Sequence, residues 1–420
     1  MDAGDTIAAY AQLVRDRLPA TILPYWLRVS RDDVAGGYLL RDDFMSSPVR
    51  RAGRVVLRHR RPMSRDDKHL VSQARLVWVF AHAHRHGYGD GTVYLDAARR
   101  GQEFLVAHFH DHERGGFRWV TDRFGRPVND AKLLYGQSFV IYAFVELARA
   151  SGTREPLDDA LGLFRAVDRE LHDDRHGGWR EHADGDWSPL GDGDPRAELH
   201  SVGRKTANAM VHWLEATTAL YAETQDPDVH RALEETLELC RRHLFPDDPG
   251  DTYDPYRADW TRDPDGEQLA SYGHNVEYAW LMVHAQEALG RQPDWEHFHA
   301  YVDHTLRCGF DHARGGAFTS GRGNEPANVR HKVWWVQSEL IAALTVALTE
   351  HHDERYADAL AQTVSFVERN MTDRRDGILV ESVEEDGRRQ RPRKSGNWKA
   401  GYHELRASVK VTEAFAAPPR

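Results

Sequence analysis

The 420-residue chain predicts an all-α fold, an (α/α)6 barrel of six helical hairpins with short β-hairpins and long loops at one end. Three observations predict it. A Gly-containing turn recurs six times, the stretches between the turns have helical periodicity, and one polar cluster falls in each repeat at a constant distance from the next turn.

The turns are Gly36-Gly37-Tyr38, Gly115-Gly116-Phe117, Gly177-Gly178-Trp179 and Gly315-Gly316-Ala317-Phe318, with looser forms at Pro249-Gly250-Asp251 and Asp376-Gly377-Ile378. Gly admits positive φ, so each reads as a tight turn. Their first glycines are separated by 79, 62, 73, 65 and 62 residues. Each interval has room for two helices of roughly 15–20 residues and their connections. Leu133 to Ala148, Val211 to Tyr221, Val276 to Leu289, Val333 to Leu348 and Ala359 to Val367 carry apolar residues at i, i+3 and i+4. Period-2 alternation is brief, as in Gly377 to Ser382. An open solenoid and a closed ring both accommodate six hairpins. The long, variable period favours the ring, with six inner helices around a pocket and six outer helices covering them, all in one domain spanning 1–420.

Composition narrows the function. Apolar residues make up 40% of the chain, with 12 Trp, 15 Tyr and 15 Phe, enough for a large core. A net charge of −11 argues against nucleic acid as a partner, because no basic field gathers phosphates. No apolar run approaches the ~18–20 residues of a membrane span. The start, Met1-Asp2-Ala3-Gly4-Asp5, lacks a basic and an apolar region, so no classical secretory signal is expected. Cys240 and Cys308 form no metal or redox spacing and read as reduced thiols of a cytoplasmic protein. Seven Lys against 48 Arg read as genome composition or salt adaptation.

Three long loops are candidate lids. They are Ala183 to Gly203, Pro246 to Gly273 with its aromatics Tyr253, Tyr256 and Trp260, and Glu384 to Gly396 with Arg388, Arg389, Arg391, Arg393 and Lys394. The Arg-rich loop reads as a solvated turn ahead of an anion site.

The polar clusters carry the chemistry. In chain order they are Arg75, then Tyr135 and Gln137, then Asn208 and His212, then His274 and Glu277, then Trp334, Trp335, Gln337 and Glu339, and last Trp398, Lys399, Tyr402, His403 and Arg406. From Arg75, Gln137, His212, His274 and Trp335 to the next turn's first Gly is 40, 40, 38, 41 and 42 residues. In a ring these places converge on one end. Asn208/His212 and Trp335/Glu339 are i, i+4, while His274/Glu277 and His403/Arg406 are i, i+3, so each pair shares a helical face. Polar groups on apolar helices need partners, and a pocket lining supplies a reason for them. Among 25 His a lone one is more often a satisfied core group; His212, His274 and His403 in register are read together as functional. Arg75 could instead pair with Glu277 or Glu339, one indole of Trp334-Trp335 could be core, and Glu215 reads as a structural partner. His69, His200 and His331 receive no role. No metal is expected, since no HExxH or carboxylate cluster supports one, and no P-loop, dinucleotide fingerprint or Gly-x-Ser-x-Gly elbow is present.

In order, these motifs read Gln-Ala-Arg-x-x-Trp, Tyr-Gly-Gln-x-Phe, Asn-x3-His-x-Leu-Glu-Ala, Gly-His-x-x-Glu, Trp-Trp-x-Gln-x-Glu and Trp-Lys-x2-Tyr-His. The set resembles the N-acylglucosamine 2-epimerase superfamily over about residues 20–410. The resemblance implies the barrel, no cofactor and a central pocket for a reducing-end aldose. It implies that His274 and His403 are the acid/base catalysts and that His212 and Asn208 open and hold the sugar. Arg75 would stabilise an enediolate, Glu277 and Glu339 would orient the histidines, and Trp335 and Trp398 would be sugar platforms. Tyr135 and Gln137 complete the expected binding set. Asn397-Trp398-Lys399-Ala400-Gly401-Tyr402-His403 and Trp334-Trp335-Val336-Gln337 depart from the cellobiose 2-epimerase forms Trp-Trp-Lys-Cys-Pro-Tyr-His and Trp-Trp-Pro-Gln, which weakens a disaccharide preference. The motifs also place the chain nearer the 2-epimerases than the sulfoquinovose-pathway isomerases.

The function expected is interconversion of a reducing-end aldose, mannose or glucose with fructose as the ketose product. It would proceed by ring opening, removal of the C2 proton by a neutral His, and a cis-enediolate. Neighbouring carboxylates are expected to raise the His pKa values. The alternatives are a cellobiose-type 2-epimerase, a glycoside hydrolase or lyase on the same barrel, and a non-catalytic helical-repeat binding protein. Hydrolysis needs two free carboxylates, whereas here the Glu residues accompany His. Partners are expected to be small-molecule sugars, with neither nucleic acid nor membrane, and the chain a monomer or homodimer.

Overall fold

The structure, a computed structural model, describes residues 2–40, 66–191, 193–198 and 202–417. His200 therefore lies outside the described residues, as does part of the first long loop. Helices α1 (Ala3–Arg17) and α2 (Leu23–Ser30) precede the ring. Inner helices α3 (Leu70–Arg85), α5 (Leu134–Ser151), α7 (Ala207–Thr224), α9 (Tyr272–Ala288), α11 (Trp334–Thr349) and α13 (Tyr402–Phe415) pack in succession, and α13 returns to α3. Outer helices α4 (Val93–Phe104), α6 (Glu155–Leu171), α8 (Pro227–Leu239), α10 (Trp295–His304) and α12 (Ala357–Phe366) each cover an inner one. The sixth outer position belongs to α1, which packs on α12 and α13. The ring is the closed (α/α)6 barrel that the turn spacing predicts.

Residue pattern explains the two layers. Outer α6 buries Leu157, Ala160, Phe164, Val167 and Leu171 on one stripe and turns Glu155 and Asp158 to water. Inner α5 is buried without a break from Leu134 to Ile141, because it is covered by α6 and by both ring neighbours. Its few polar side chains then need partners inside the protein.

The rim is built by repetition. A two-residue strand lies before each of α3, α5, α7, α9 and α11, and pairs antiparallel with the strand after the following turn: Lys68–His69 with Val120–Thr121, Lys132–Leu133 with His182–Ala183, and Lys332–Val333 with Ser382–Val383. These pairs hold the N-terminal ends of the inner helices together. At each Gly-Gly turn an Asp closes the loop, as Asp111 does by accepting from the N–H groups of Glu113 and Arg114. A buried Lys from the rim then reaches that Asp. Lys68 pairs with Asp32 at 3.1 Å, Lys132 with Asp111 at 3.1 Å, Lys205 with Asp173 at 2.9 Å and Lys332 with Asp311 at 2.9 Å. Four of the seven lysines are thus placed by the turns. Their Nζ also donates to turn carbonyls, such as that of Gly315 at 2.6 Å from Lys332, in spaces closed by rings like Phe366. A slender stem with a point charge suits that space, and a flat guanidinium does not.

Gly250 departs from the tight-turn reading. It is not in the left-handed region and lies in a short helical turn, Pro249–Asp251, closed by Asp248 accepting from the Gly250 N–H. The long loop after it is mostly a hairpin, Tyr253–Arg257 against Arg262–Gln268. The Arg-rich loop is ion-paired: Arg391 and Arg393 pair with Glu381, and Lys394 with Asp376. Cys240 and Cys308 are free and buried. Among the described residues no helix is long and apolar enough to cross a membrane.

Candidate active site

The first two turns of the inner helices and the rim loops enclose a cavity of about 340 Å³ at one end of the barrel. Arg75 comes from α3, Tyr135 from α5, Asn208 and His212 from α7, and His274 and Glu277 from α9. Trp334 and Trp335 come from α11, His403 from α13, and Trp398 from the loop before it. The constant distance to the next turn therefore corresponds to a common height in the barrel.

Behind this lining lies a polar core with Arg406 at its centre. Its guanidinium donates to Glu277 at 2.9 Å and to Glu339 at 2.7 Å, and it also bonds Glu215 and the Tyr402 hydroxyl. Glu339 accepts from His403 Nδ1 at 2.6 Å and from Trp280 Nε1 at 3.1 Å. Glu215 accepts from His212 Nδ1 at 3.1 Å and from the Tyr402 hydroxyl. A carboxylate on Nδ1–H fixes the tautomer and leaves Nε2 as the free acceptor of each ring. The two imidazoles stand with centroids 6.4 Å apart.

Burial decides the protonation of these groups. It pushes His403 down to about 3, outweighing the opposing pull of Glu339, and it lowers His212 against Glu215 in the same way. The expectation that carboxylates raise these His values is therefore corrected: in a closed site, desolvation of the cation is the larger effect. Both rings are neutral at pH 7. Burial alone would push Glu339 up, but Arg406 and His403 together hold it down to about 2. Glu277 moves the other way, raised by burial and by the neighbouring Glu339 charge. Within the Arg406 cluster, Glu215 and Glu339 are thus held low and Glu277 is the one carboxyl pushed up.

Arg75 does not pair with Glu277 or Glu339. It donates to the Tyr135 hydroxyl at 2.9 Å and to the Trp398 carbonyl at 2.7 Å, and lies over the Phe139 ring at 4.3 Å. Its Nε has no hydrogen-bond partner, and the side chain borders the cavity. Trp335 is half-buried, 4.9 Å from the His274 ring and 5.9 Å from His403 between centroids. Gly273 makes this possible, because a Cβ there would run into the Trp335 indole.

Two sequence assignments change. Gln137 is not on the cavity: it is fully buried and clamps the turn, accepting from the Phe117 N–H at 2.9 Å and donating to the Phe117 carbonyl at 2.8 Å. Gln73 does the same to Tyr38, and Gln337 to Ala317. Glu339 is not on the wall either, so it does not touch a sugar there; it bonds His403 and Arg406 from behind, the place expected of a carboxylate that orients a histidine. Three lining residues were not singled out in the sequence: Asp254, Leu269 and Ser271. Asp254 comes from the hairpin and Leu269 from the residue after it, outside the repeat, so no register marks them, while Ser271 ends the short rim strand before α9. Glu277, Glu339 and His403 offer ligand atoms within 4.8 Å of one another, but the Arg406 guanidinium already bridges the two carboxylates.

The profile of the N-acylglucosamine 2-epimerase family matches residues 56–407. A cellobiose 2-epimerase of Bacteroides fragilis is 27% identical over 409 residues, covering 95% of this chain and 98% of that one. A D-mannose isomerase of Marinomonas mediterranea is 24% identical over 83% of this chain and 87% of its own. The solved cellobiose 2-epimerase of Spirochaeta thermophila superposes with a TM-score of 0.82 at 27% identity, covering 98% of each chain.

Proposed function

Because the chain belongs to the N-acylglucosamine 2-epimerase family, and is an isomerase by that membership, we propose that its cavity opens a reducing-end aldose and moves the C2 proton through a cis-enediolate, without a cofactor. The convergence of three histidines and Arg75 on one cavity carries this reading. Opening the ring exposes a C1 aldehyde and makes the C2 proton acidic. A neutral imidazole with a free Nε2 takes that proton, and Glu339 stabilises the imidazolium that forms on His403. His274 stands across C2 and returns a proton to the opposite face, giving the 2-epimer. Return to C1 gives the ketose. Arg75 and Tyr135 face the oxygen on which charge develops, in a site poor in water, where such donors act most strongly. His212 and Asn208 open and hold the ring.

The substrate proposed is a free hexose, mannose or glucose with fructose as ketose product. The rim carries Trp334, Trp335 and Trp398, broad faces on which a sugar ring packs. A disaccharide substrate is the second reading, favoured by the relatives named cellobiose 2-epimerases. The test is interconversion of mannose and glucose by His274→Ala and His403→Ala. Each should lose the interconversion; a near-normal rate in either removes that residue from the mechanism.

A further inference from the structure

Asp254 stands apart from the repeating lining. It belongs to the first strand of the Tyr253–Gln268 hairpin, which also pairs with Arg204–Lys205 at the root of α7. Held from both sides, its carboxylate accepts the Ala207 N–H at 2.9 Å, at the first residue of α7. The next α7 residue, Asn208, lines the same cavity.

That bond uses one lone pair of a side chain that is half-buried and borders the cavity. Among the described residues no cation pairs with Asp254. Lys205, on the paired strand, is committed to Asp173 and to the Ala258 carbonyl. The ionisable neighbours that feel Asp254 are the buried Glu181 and Tyr256, neither of them a cation. Burial pushes the Asp254 carboxyl up to about 6 against the Ala207 bond, which still leaves it ionised at pH 7.5.

A fixed carboxylate with open lone pairs, on the wall of a sugar-sized cavity, accepts hydroxyl hydrogens and repels anions. We propose that Asp254 is a specificity-determining residue, accepting sugar hydroxyls and selecting uncharged sugars over those bearing phosphate, carboxylate or sulfonate. This rests on the aldose reading of the cavity.

The test compares the full-length chain with its Asp254→Asn variant. Asn keeps a side-chain oxygen for the Ala207 N–H, so an equal melting temperature checks that the start of α7 is intact. KM and kcat are measured by C2 deuterium exchange on mannose and glucose at pH 7.5. Binding of glucose, glucose 6-phosphate and glucuronate is measured separately, by quenching of tryptophan fluorescence. Loss of a charge-assisted hydrogen bond should raise KM for the neutral sugar by roughly tenfold, with kcat within a few-fold. The anionic sugars, excluded by the unaltered chain, should gain binding in the variant. An unchanged KM together with unchanged ranking of neutral over anionic sugars would overturn the proposal and leave Asp254 as a helix cap. Should the unaltered chain exchange none of the sugars, the aldose reading fails; tighter binding of glucose 6-phosphate than of glucose would then overturn this inference too.

Discussion

Glu339→Gln probes the link between the buried core and the chemistry. The substitution preserves shape and removes one charge. Glu339 Oε1 serves two donors, His403 Nδ1 at 2.6 Å and Arg406 at 2.7 Å, while Oε2 takes Trp280 Nε1 at 3.1 Å. A Gln amide has only one acceptor atom, so its NH2 must face a donor on one side or the other. Arg406 keeps Glu215 and Glu277 as hydrogen-bond partners when the Glu339 charge is gone. The stability loss should then fall near the lower end of that for breaking a buried pair, roughly 3 kcal/mol. The rate effect is larger. An imidazolium on His403 would lose a carboxylate at about 4 Å between charge centres, about 4 kcal/mol at an effective dielectric near 20. Allowing for the amide oxygen that remains, kcat should drop by roughly 10²–10³-fold. KM should hardly move, because Glu339 is off the cavity wall. C2 deuterium exchange under saturating sugar, with thermal melting as the fold control, reads both. A folded variant exchanging within fivefold of the unaltered chain would refute the claim that Glu339 supports His403 as a base.

Three other outcomes follow from the same geometry. Lys332→Met strands the buried Asp311 and should cost about 3–5 kcal/mol of stability; Lys332→Arg overfills the space under Phe366 and should cost about 1–3 kcal/mol, both read by chemical denaturation. Gly273→Ala should displace the Trp335 indole and raise KM by about tenfold, in line with loss of an aromatic contact worth ~1–1.5 kcal/mol; an unchanged KM would show that the indole is not a platform. Glu181, buried and bonded by the Thr206 N–H, has its carboxyl raised from 4.5 to about 8 by burial. A raised carboxyl loses stability as pH climbs from its unfolded value to its folded one. Glu181→Gln should therefore gain melting temperature relative to the unaltered chain between pH 5 and pH 8, and a constant difference would contradict the burial argument.

Much of this was legible in the sequence because the fold repeats. A helical hairpin cannot bury its apolar face alone, so each unit repeats the same solution, and the spacing of Gly-Gly turns and polar clusters records it. That is why Arg75, His212 and His274 could be placed at one end of the barrel from spacing, whereas His403 has no later turn to mark its register. Repetition also misled. Gln137 lies in the same register as the histidines, yet it clamps the Phe117 turn, as Gln73 and Gln337 clamp theirs. Spacing marks height in the barrel; it does not say whether a side chain faces the axis or the rim. Asp254 stayed hidden for the opposite reason, since it belongs to a hairpin that breaks the repeat. The lysines were legible only as a count, because their Asp partners lie 21–36 residues away. The direction of the His shifts needed three-dimensional burial, which no sequence pattern reports.

The most direct measurement of the central claim is proton NMR in D2O with mannose, glucose, fructose and cellobiose in separate tubes. The account predicts deuterium at C2 with interconversion of mannose and glucose, and fructose as the ketose product. Turnover of cellobiose alone would move the substrate to a disaccharide, and no C2 exchange in any tube would contradict the enediolate reading of this cavity.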